Sequence, residues 1–295
     1  MNRFLLLNTS TIKLLRIPFS IFLMPVFLLA LSQANKINSN TTIISFCIIH
    51  LLVYPASNGY NSYIDKDTTS IGGIENPPLP TKQLLYITLL LDFVSVILSV
   101  LLINNTFAIC IVLYIIASRA YSSKLIRLKK HALLGFLVVI IFQGGFTFYM
   151  SSVGICNATL NLSTSVWYLL IASSLQIAGA YPLTQIYQHQ ADANDGLITL
   201  SAKLGYRGTF IFTTFMFILC NLFYYLYFTE TNQLNAFILL QICFAPIIIY
   251  FSYWFIKVLK NTSEANYKNT MRMNKIASIS MIICFSILAV LQHLK

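Results

Sequence analysis

Tyr54-Pro55-Ala56-Ser57-Asn58-Gly59-Tyr60-Asn61-Ser62-Tyr63-Ile64-Asp65 and Tyr181-Pro182-Leu183-Thr184-Gln185-Ile186-Tyr187-Gln188-His189-Gln190-Ala191-Asp192 are two copies of one phrase. Both read Tyr-Pro-x-(Ser/Thr)-(Asn/Gln)-x-Tyr-(Asn/Gln)-x-x-x-Asp, and each closes a long apolar run. Amides and carboxylates at such a place are costly to desolvate, so they mark a site. Two copies point to an internal repeat whose halves face each other across that site. At helical spacing Tyr54, Asn58, Asn61 and Asp65 form one stripe, and Tyr181, Gln185, Gln188, Asp192 and Asp195 form another. Pro55 and Pro182 are expected to kink each helix about a turn below the site.

The runs that carry the phrases belong to a polytopic, all-α membrane protein. Of the 295 residues, 57% are hydrophobic and only 9% are charged, far from the usage of a soluble domain. Nine stretches are long enough to cross a bilayer, near 12–32, 41–60, 83–103, 104–121, 132–152, 164–187, 208–229, 234–257 and 274–293. They make one transmembrane domain, 1–295. The first span is full length and has no cleavage-site pattern, which predicts an anchor and not a signal peptide. The copies lie four spans apart, and an even number of spans returns the second copy to the orientation of the first. The repeat is therefore parallel, about an axis along the membrane normal.

Basic residues set the orientation. With the N-terminus inside, every lysine and arginine except Lys36 and Lys295 falls on the cytoplasmic side. The C-terminus is then external, and a bacterial inner membrane is the expected location. The net charge of +11 is mostly this asymmetry, together with attraction to anionic membrane lipid. A nucleic-acid partner requires a soluble basic domain, and the sequence has none. The six cysteines form no CxxC pair or Cys/His cluster and read as small core residues.

The chemistry gathers in three cytoplasmic loops, about 61–82, 119–131 and 188–207. Carboxylates and amide oxygens are hard donors that suit Mg²⁺, an ion commonly held by one or two carboxylates plus substrate phosphates. Asp65, Asp67, Asp192 and Asp195 are the candidate metal ligands. Asn58, Asn61, Gln185 and Gln188 can contribute neutral oxygens or hydrogen bonds to phosphate. Lys124, Arg127, Lys129 and Lys203 can meet the remaining negative charge. Together they describe a clamp for Mg²⁺-diphosphate at the mouth of an apolar cavity. Inside the spans, Asp92 is expected to be paired in an interhelical hydrogen bond, and His50 to be packed in the core.

These residues resemble the UbiA superfamily of intramembrane prenyltransferases over nearly the whole chain. That family has nine helices, with an NDxxDxxxD-type motif after the second and a DxxxD-type motif after the sixth. Asn61 and Asp65 match the leading Asn and middle Asp of the first motif, while Ser62 and Thr69 stand where its other acids would be. Asp192 matches the second Asp of the other motif, and Gln188 replaces the first. Asn76-Pro77-Pro78-Leu79-Pro80 resembles the family's Arg-Pro-Leu-Pro without the Arg. The run from Gly196 through Thr199, Leu200, Lys203 and Leu204 to Gly205 matches its Gly-x-x-Thr-Leu-x-x-(Lys/Arg)-Leu-Gly. Tyr121-Ser122 followed by Arg127-Leu128-Lys129 resembles the loop after helix 4.

The resemblance implies an enzyme that moves an isoprenyl group from an isoprenyl diphosphate to a lipophilic, usually aromatic, acceptor. It implies Mg²⁺ as cofactor and Asp65 and Asp192 as catalytic residues. The lost carboxylates lower the negative charge of the site, which weakens capture of free Mg²⁺ more than binding of a preformed Mg²⁺-diphosphate complex. Two other classes also suit a parallel repeat with a polar site: a small-solute or lipid transporter, and a catalytically silent relative. The one-sided acidic loops favour the enzyme, because a transporter needs polar groups deeper or on both faces. Single-cysteine labelling of intact cells tests the orientation: positions in 65–82, 119–131 and 188–207 resist an impermeant maleimide, while positions in 153–163 react. The reverse pattern refutes it.

Overall fold

The computed structural model describes residues 8–293. Lys295, one of the two expected external cations, lies outside them. Eight helices are long and apolar enough to cross a membrane, and a bent pair brings the number to nine among the described residues. We label them α1 (Thr9–Phe22 with Met24–Ser32), α2 (Ser39–Asp65), α3 (Lys82–Leu102), α4 (Asn105–Ser122) and α5 (Ala132–Cys156). The rest are α6 (Thr164–Asn194), α7 (Leu200–Glu230), α8 (Leu234–Lys260) and α9 (Tyr267–His293). Apart from one bridge between Ile71 and Ile74, the ordered elements are helical. The predicted multi-pass helical bundle is what forms.

The helices depart from straight rods where the sequence breaks their hydrogen bonding. The first span bends by 40° at its break, where it was expected to be continuous. Arg16 adopts the left-handed conformation, with φ 49° and ψ 40°, and Pro18 and Pro25 each open a new helical segment. In α2 the proline ring of Pro55 collides with the carbonyl one turn earlier. The turn over Ile48–Val53 relaxes into a π-helix, and the Tyr54 N–H bonds back to the Ile49 carbonyl. In α6 the distortion follows Pro182: Ile186–Gln188 is a 3₁₀ turn that separates Thr164–Gln185 from His189–Asn194. The second stripe is therefore bent and not a straight row. Both α7 and α9 start earlier than predicted, at Leu200 and Tyr267, because their polar first turns are helical as well.

The most extensive helix pair is α6 with α7, and α5 packs tightly on α6. By contrast, α3 and α8 are the least covered by protein and present the most surface to lipid. The α5–α6 contact fixes the site-bearing helix. A π turn at Ile141–Gly145 carries Gly144 at φ −99° and ψ −107°, outside both regular wells. A Cβ on Gly144 would come within 2.5 Å of the Ser174 Cα, and the neighbouring Gly145 N–H donates to Ser174 Oγ at 3.0 Å. Close backbone approach through small residues is how helices pack when lipid removes the hydrophobic drive.

Two other polar residues of the spans are buried in different ways: Asp92 is paired, whereas both ring nitrogens of His50 lack a hydrogen-bond partner. Asp92 on α3 pairs with Arg119 on α4, whose Nε lies 2.9 Å from the carboxylate and whose guanidinium stacks on the Tyr60 ring at 3.9 Å. The expected interhelical bond is thus an ion pair, which ties the peripheral α3 to the bundle. His50 is buried, stacked on Phe46 and edge-on to Phe27 and Tyr54. All six cysteines are free thiols. The Gly144 contact gives a direct test. Gly144→Ala must push α5 away from α6, and overpacking of this kind costs about 1–3 kcal/mol. A lowered thermal midpoint in detergent is expected, and an unchanged midpoint would show that the contact does not set the packing.

Candidate active site

The two phrases converge on one cavity of about 300 Å³ among α1, α2, α4, α5, α6 and α9. That volume is at the small end of the range for ligand pockets. Asn58, Asn61, Asp65 and Asp67 line it from the first half, and Tyr181, Gln185, Gln188, Asp192 and Asp195 line it from the second. Tyr54, the first residue of its stripe, is instead buried in the core against Tyr114. A hydrogen bond from Gln188 Nε2 to the Ser70 carbonyl, 3.1 Å, joins the end of α6 to the loop after α2. The two motifs therefore meet at the same end of the bundle.

Asp65 is the best-defined group. It ends α2, where Lys66 takes the left-handed conformation and stops the helix. Its Oδ2 accepts from the Lys129 ammonium and from Asn61 Nδ2 at 2.8 Å, one helical turn earlier. Asn61 Nδ2 also reaches Ser122 Oγ at the end of α4, 3.1 Å away. The Lys129 and Asp65 side chains are only 8% and 6% exposed, so this is a buried pair. Asp65 Oδ1 is buried and has no hydrogen-bond partner. A buried carboxylate oxygen left without a donor is unfavourable by itself and is available to a ligand.

The acidic end continues through the other aspartates. Asp67 follows α2 in the loop 66–81. Burial, and then the neighbouring Asp65 charge, push its carboxyl up to about 6. Asp192 feels Lys129, Asp67 and Asp65, while Asp195 stands exposed at the rim. No three Asp, Glu, His or Cys side chains among the described residues are gathered closely enough to hold a metal ion by themselves. The donor set nonetheless fits Mg²⁺, which takes few protein ligands and keeps water and phosphate oxygens. Four carboxylates face one cavity, and the buried Asp65 Oδ1 lacks a partner.

Of the four predicted cations, Lys129 alone lines the cavity. Lys124 is exposed in the turn that leaves α4, and Arg127, in the left-handed conformation, starts the short 3₁₀ turn that swings Lys129 inward. Lys203 lies on the exposed side of the turn that opens α7. Gly205, at φ 68° and ψ 177°, breaks α7 just beyond it, a conformation that L residues avoid.

One cation escaped the sequence reading. Arg16 is buried on α1, and its Nη atoms donate to the carbonyls of Asn58 at 3.2 Å and Gly72 at 3.3 Å. Its Nε has no partner, and no carboxylate pairs with it among the described residues. Arg16 lies in an apolar run, in no recognised motif. The signal that could have found it is a charge next to Pro18 inside a span. A buried guanidinium hydrogen-bonded only to neutral carbonyls, near Asp67 and Asp65 but paired with neither, keeps a free N–H for an anion.

Below the acidic end the wall becomes neutral. The Tyr121 and Tyr181 hydroxyls hydrogen-bond each other across α4 and α6, and Gln185 Nε2 donates to Tyr181 at 3.0 Å. Gln185 Oε1 remains buried without a donor. Further in, the lining includes Phe142, Ile177 and Met281. The site is thus a charged head end on an apolar, aromatic-flanked body.

A cavity with a charged end and an apolar body, inside a multi-pass helical bundle, has the shape and polarity of a site for an amphiphile in an intramembrane protein. The sequence profile of the UbiA prenyltransferase family matches residues 22–276, and the chain belongs to that family. Solved structures agree on the fold. A UbiA homologue from Archaeoglobus fulgidus bound to DMAPP and Mg²⁺ is 13% identical, with a TM-score of 0.69 over 96% of this chain and 100% of that one. A UbiA homologue from Aeropyrum pernix K1 is 17% identical, with a TM-score of 0.63 over 91% and 98%. A digeranylgeranylglyceryl phosphate synthase is 22% identical, with a TM-score of 0.61 over 95% and 96%. No curated protein sequence matches the chain.

Proposed function

We propose that the protein is a Mg²⁺-dependent prenyltransferase that moves an isoprenyl group from its diphosphate to a lipophilic, aromatic-type acceptor inside the membrane. The observation that carries this reading is the buried Asp65 carboxylate, held through Oδ2 by Lys129 and Asn61, with Oδ1 buried and unpartnered beside the cavity that the residue lines. The family supplies the class of activity, and the Archaeoglobus fulgidus relative was solved with an isoprenyl diphosphate and Mg²⁺.

Asp65, Asp67, Asp192 and Asp195 would hold Mg²⁺, which neutralises charge on the departing diphosphate when bound. Arg16 and Lys129 bind phosphate oxygens, and Asn58, Asn61, Gln185 and Gln188 add neutral contacts. In this reading Lys124, Arg127 and Lys203 act only at long range. The bond between the allylic carbon and the diphosphate oxygen breaks, and its electron pair leaves with the diphosphate. The acceptor's nucleophilic atom forms the new bond to that carbon and gives up its proton. Cations pointed at the leaving group stabilise the charge as it develops. The apolar walls keep water from the allylic carbon, and aromatic faces such as Phe142 and Tyr114 suit a passing cation. The acidic end faces the cytoplasm of a bacterial inner membrane, where soluble diphosphate is available.

Asp65→Asn and Asp192→Asn test the roles of the two acids. Each is expected to lower Mg²⁺-dependent turnover about 100- to 1,000-fold, by analogy with the removal of one preorganised electrostatic group. Thermal unfolding without ligand should stay near wild type for Asp192→Asn. Transfer of radiolabelled isoprenyl groups by the purified protein is the assay, and near-normal turnover in either variant rejects the clamp.

A further inference from the structure

The charge of the cavity is confined to one end. Every charged residue that lines it, namely Arg16, Lys129, Asp65, Asp67, Asp192 and Asp195, belongs to the acidic head region. Tyr114 lies seven residues before Tyr121 on α4, and Gln176 five residues before Tyr181 on α6. This inner layer is therefore about 8–10 Å deeper than the tyrosine pair. Its polar groups are Tyr114, Gln143, Gln176 and Ser278, all neutral.

Gln176 is held in a defined way. It is 5% exposed, and its Oε1 accepts from the hydroxyl of the fully buried Tyr224 on α7, 2.8 Å away. That bond engages the amide oxygen, and among the described residues its Nε2 makes no hydrogen bond, beside the cavity that the residue lines. Gln143 sits next to the Tyr114 hydroxyl on the facing wall. An anion placed in this layer would meet no cation, and the four carboxylates at the head end would repel it. An unpaired buried anion is strongly disfavoured. A neutral carbonyl or hydroxyl oxygen needs only a donor, and Gln176 offers one.

We propose that the acceptor is an uncharged lipophilic molecule whose carbonyl or hydroxyl oxygen accepts a hydrogen bond from Gln176, and that carboxylate and phosphate-ester acceptors are rejected. This rests on the isoprenyl-transfer reading above. Tyr224 is a positioning residue, because it acts through Gln176 and does not line the cavity.

The test uses the full-length protein in nanodiscs with Mg²⁺ and radiolabelled dimethylallyl, geranyl, farnesyl and geranylgeranyl diphosphates. Acceptors are offered in matched pairs: 4-hydroxybenzoate and its methyl ester, 1,4-dihydroxy-2-naphthoate and 1,4-dihydroxynaphthalene, and geranylgeranylglyceryl phosphate and its dephosphorylated alcohol. The neutral member of at least one pair is expected to be used at least tenfold better in kcat/KM, with no anionic member preferred. Gln176→Leu should raise the acceptor KM about tenfold while the thermal shift given by the isoprenyl diphosphate persists. Tyr224→Phe should raise the same KM less, with kcat nearly unchanged, which a purely structural role would not produce. Preference for an anionic member, an unchanged acceptor KM in Gln176→Leu, or transfer to no acceptor by protein that binds isoprenyl diphosphate overturns the proposal. Binding of no isoprenyl diphosphate overturns the prenyltransferase reading itself, and the acceptor proposal with it.

Discussion

The Lys129 ammonium against the Asp65 carboxylate is the contact on which the site depends. It joins the end of α2 to the loop between α4 and α5, and Asn61 and Ser122 extend it to α4. Neither partner is exposed enough to be solvated alone, so loss of one leaves a buried charge without compensation. The pair is also incomplete, because Oδ1 of Asp65 has no donor. A contact that is buried, charged and incomplete fixes the position of the carboxylate and leaves one of its oxygens unpaired. The glycine-mediated approach of α5 to α6 then holds the second motif opposite the first.

The exchange of carboxylates for amides follows from the same arrangement. Gln188 stands where a family aspartate would be, and it bridges to the Ser70 carbonyl. Asn61, which matches the family's own Asn, donates to Asp65 and holds that acid in place. The amide at 188 ties two segments of the site together and does not add to its negative charge. Two buried cations, Arg16 and Lys129, stand against four aspartates around one cavity. The aspartates offer oxygen ligands to a divalent cation, and Arg16 and Lys129 offer donors to an anion that the cation accompanies.

Much of this was legible in the sequence. Apolar length defines the spans, because a bilayer imposes it. The repeated phrase was legible as a place where polar groups gather, and Asn58, Asn61, Asp65, Gln185, Gln188 and Asp192 line one cavity. What escaped depends on backbone detail that has no periodic signal. The left-handed Arg127 decides that Lys129, and not Lys124, turns inward. The bend of the first span decides that Arg16 enters the site. The π turn before Pro55 and the 3₁₀ turn after Pro182 place equivalent prolines in unlike surroundings, which a shared phrase does not reveal.

The central claim is that the buried charges of the cavity are completed by a metal-bound diphosphate. Thermal unfolding of the purified protein in detergent, with Mg²⁺ and an isoprenyl diphosphate added separately and together, measures this most directly. A ligand at one hundred times its dissociation constant stabilises the folded state by about 2.7 kcal/mol. The account predicts a clear upward shift with both components, a smaller one with the diphosphate alone and almost none with Mg²⁺ alone. An equal shift with Mg²⁺ alone, or none with both components at any isoprenoid length, would contradict it.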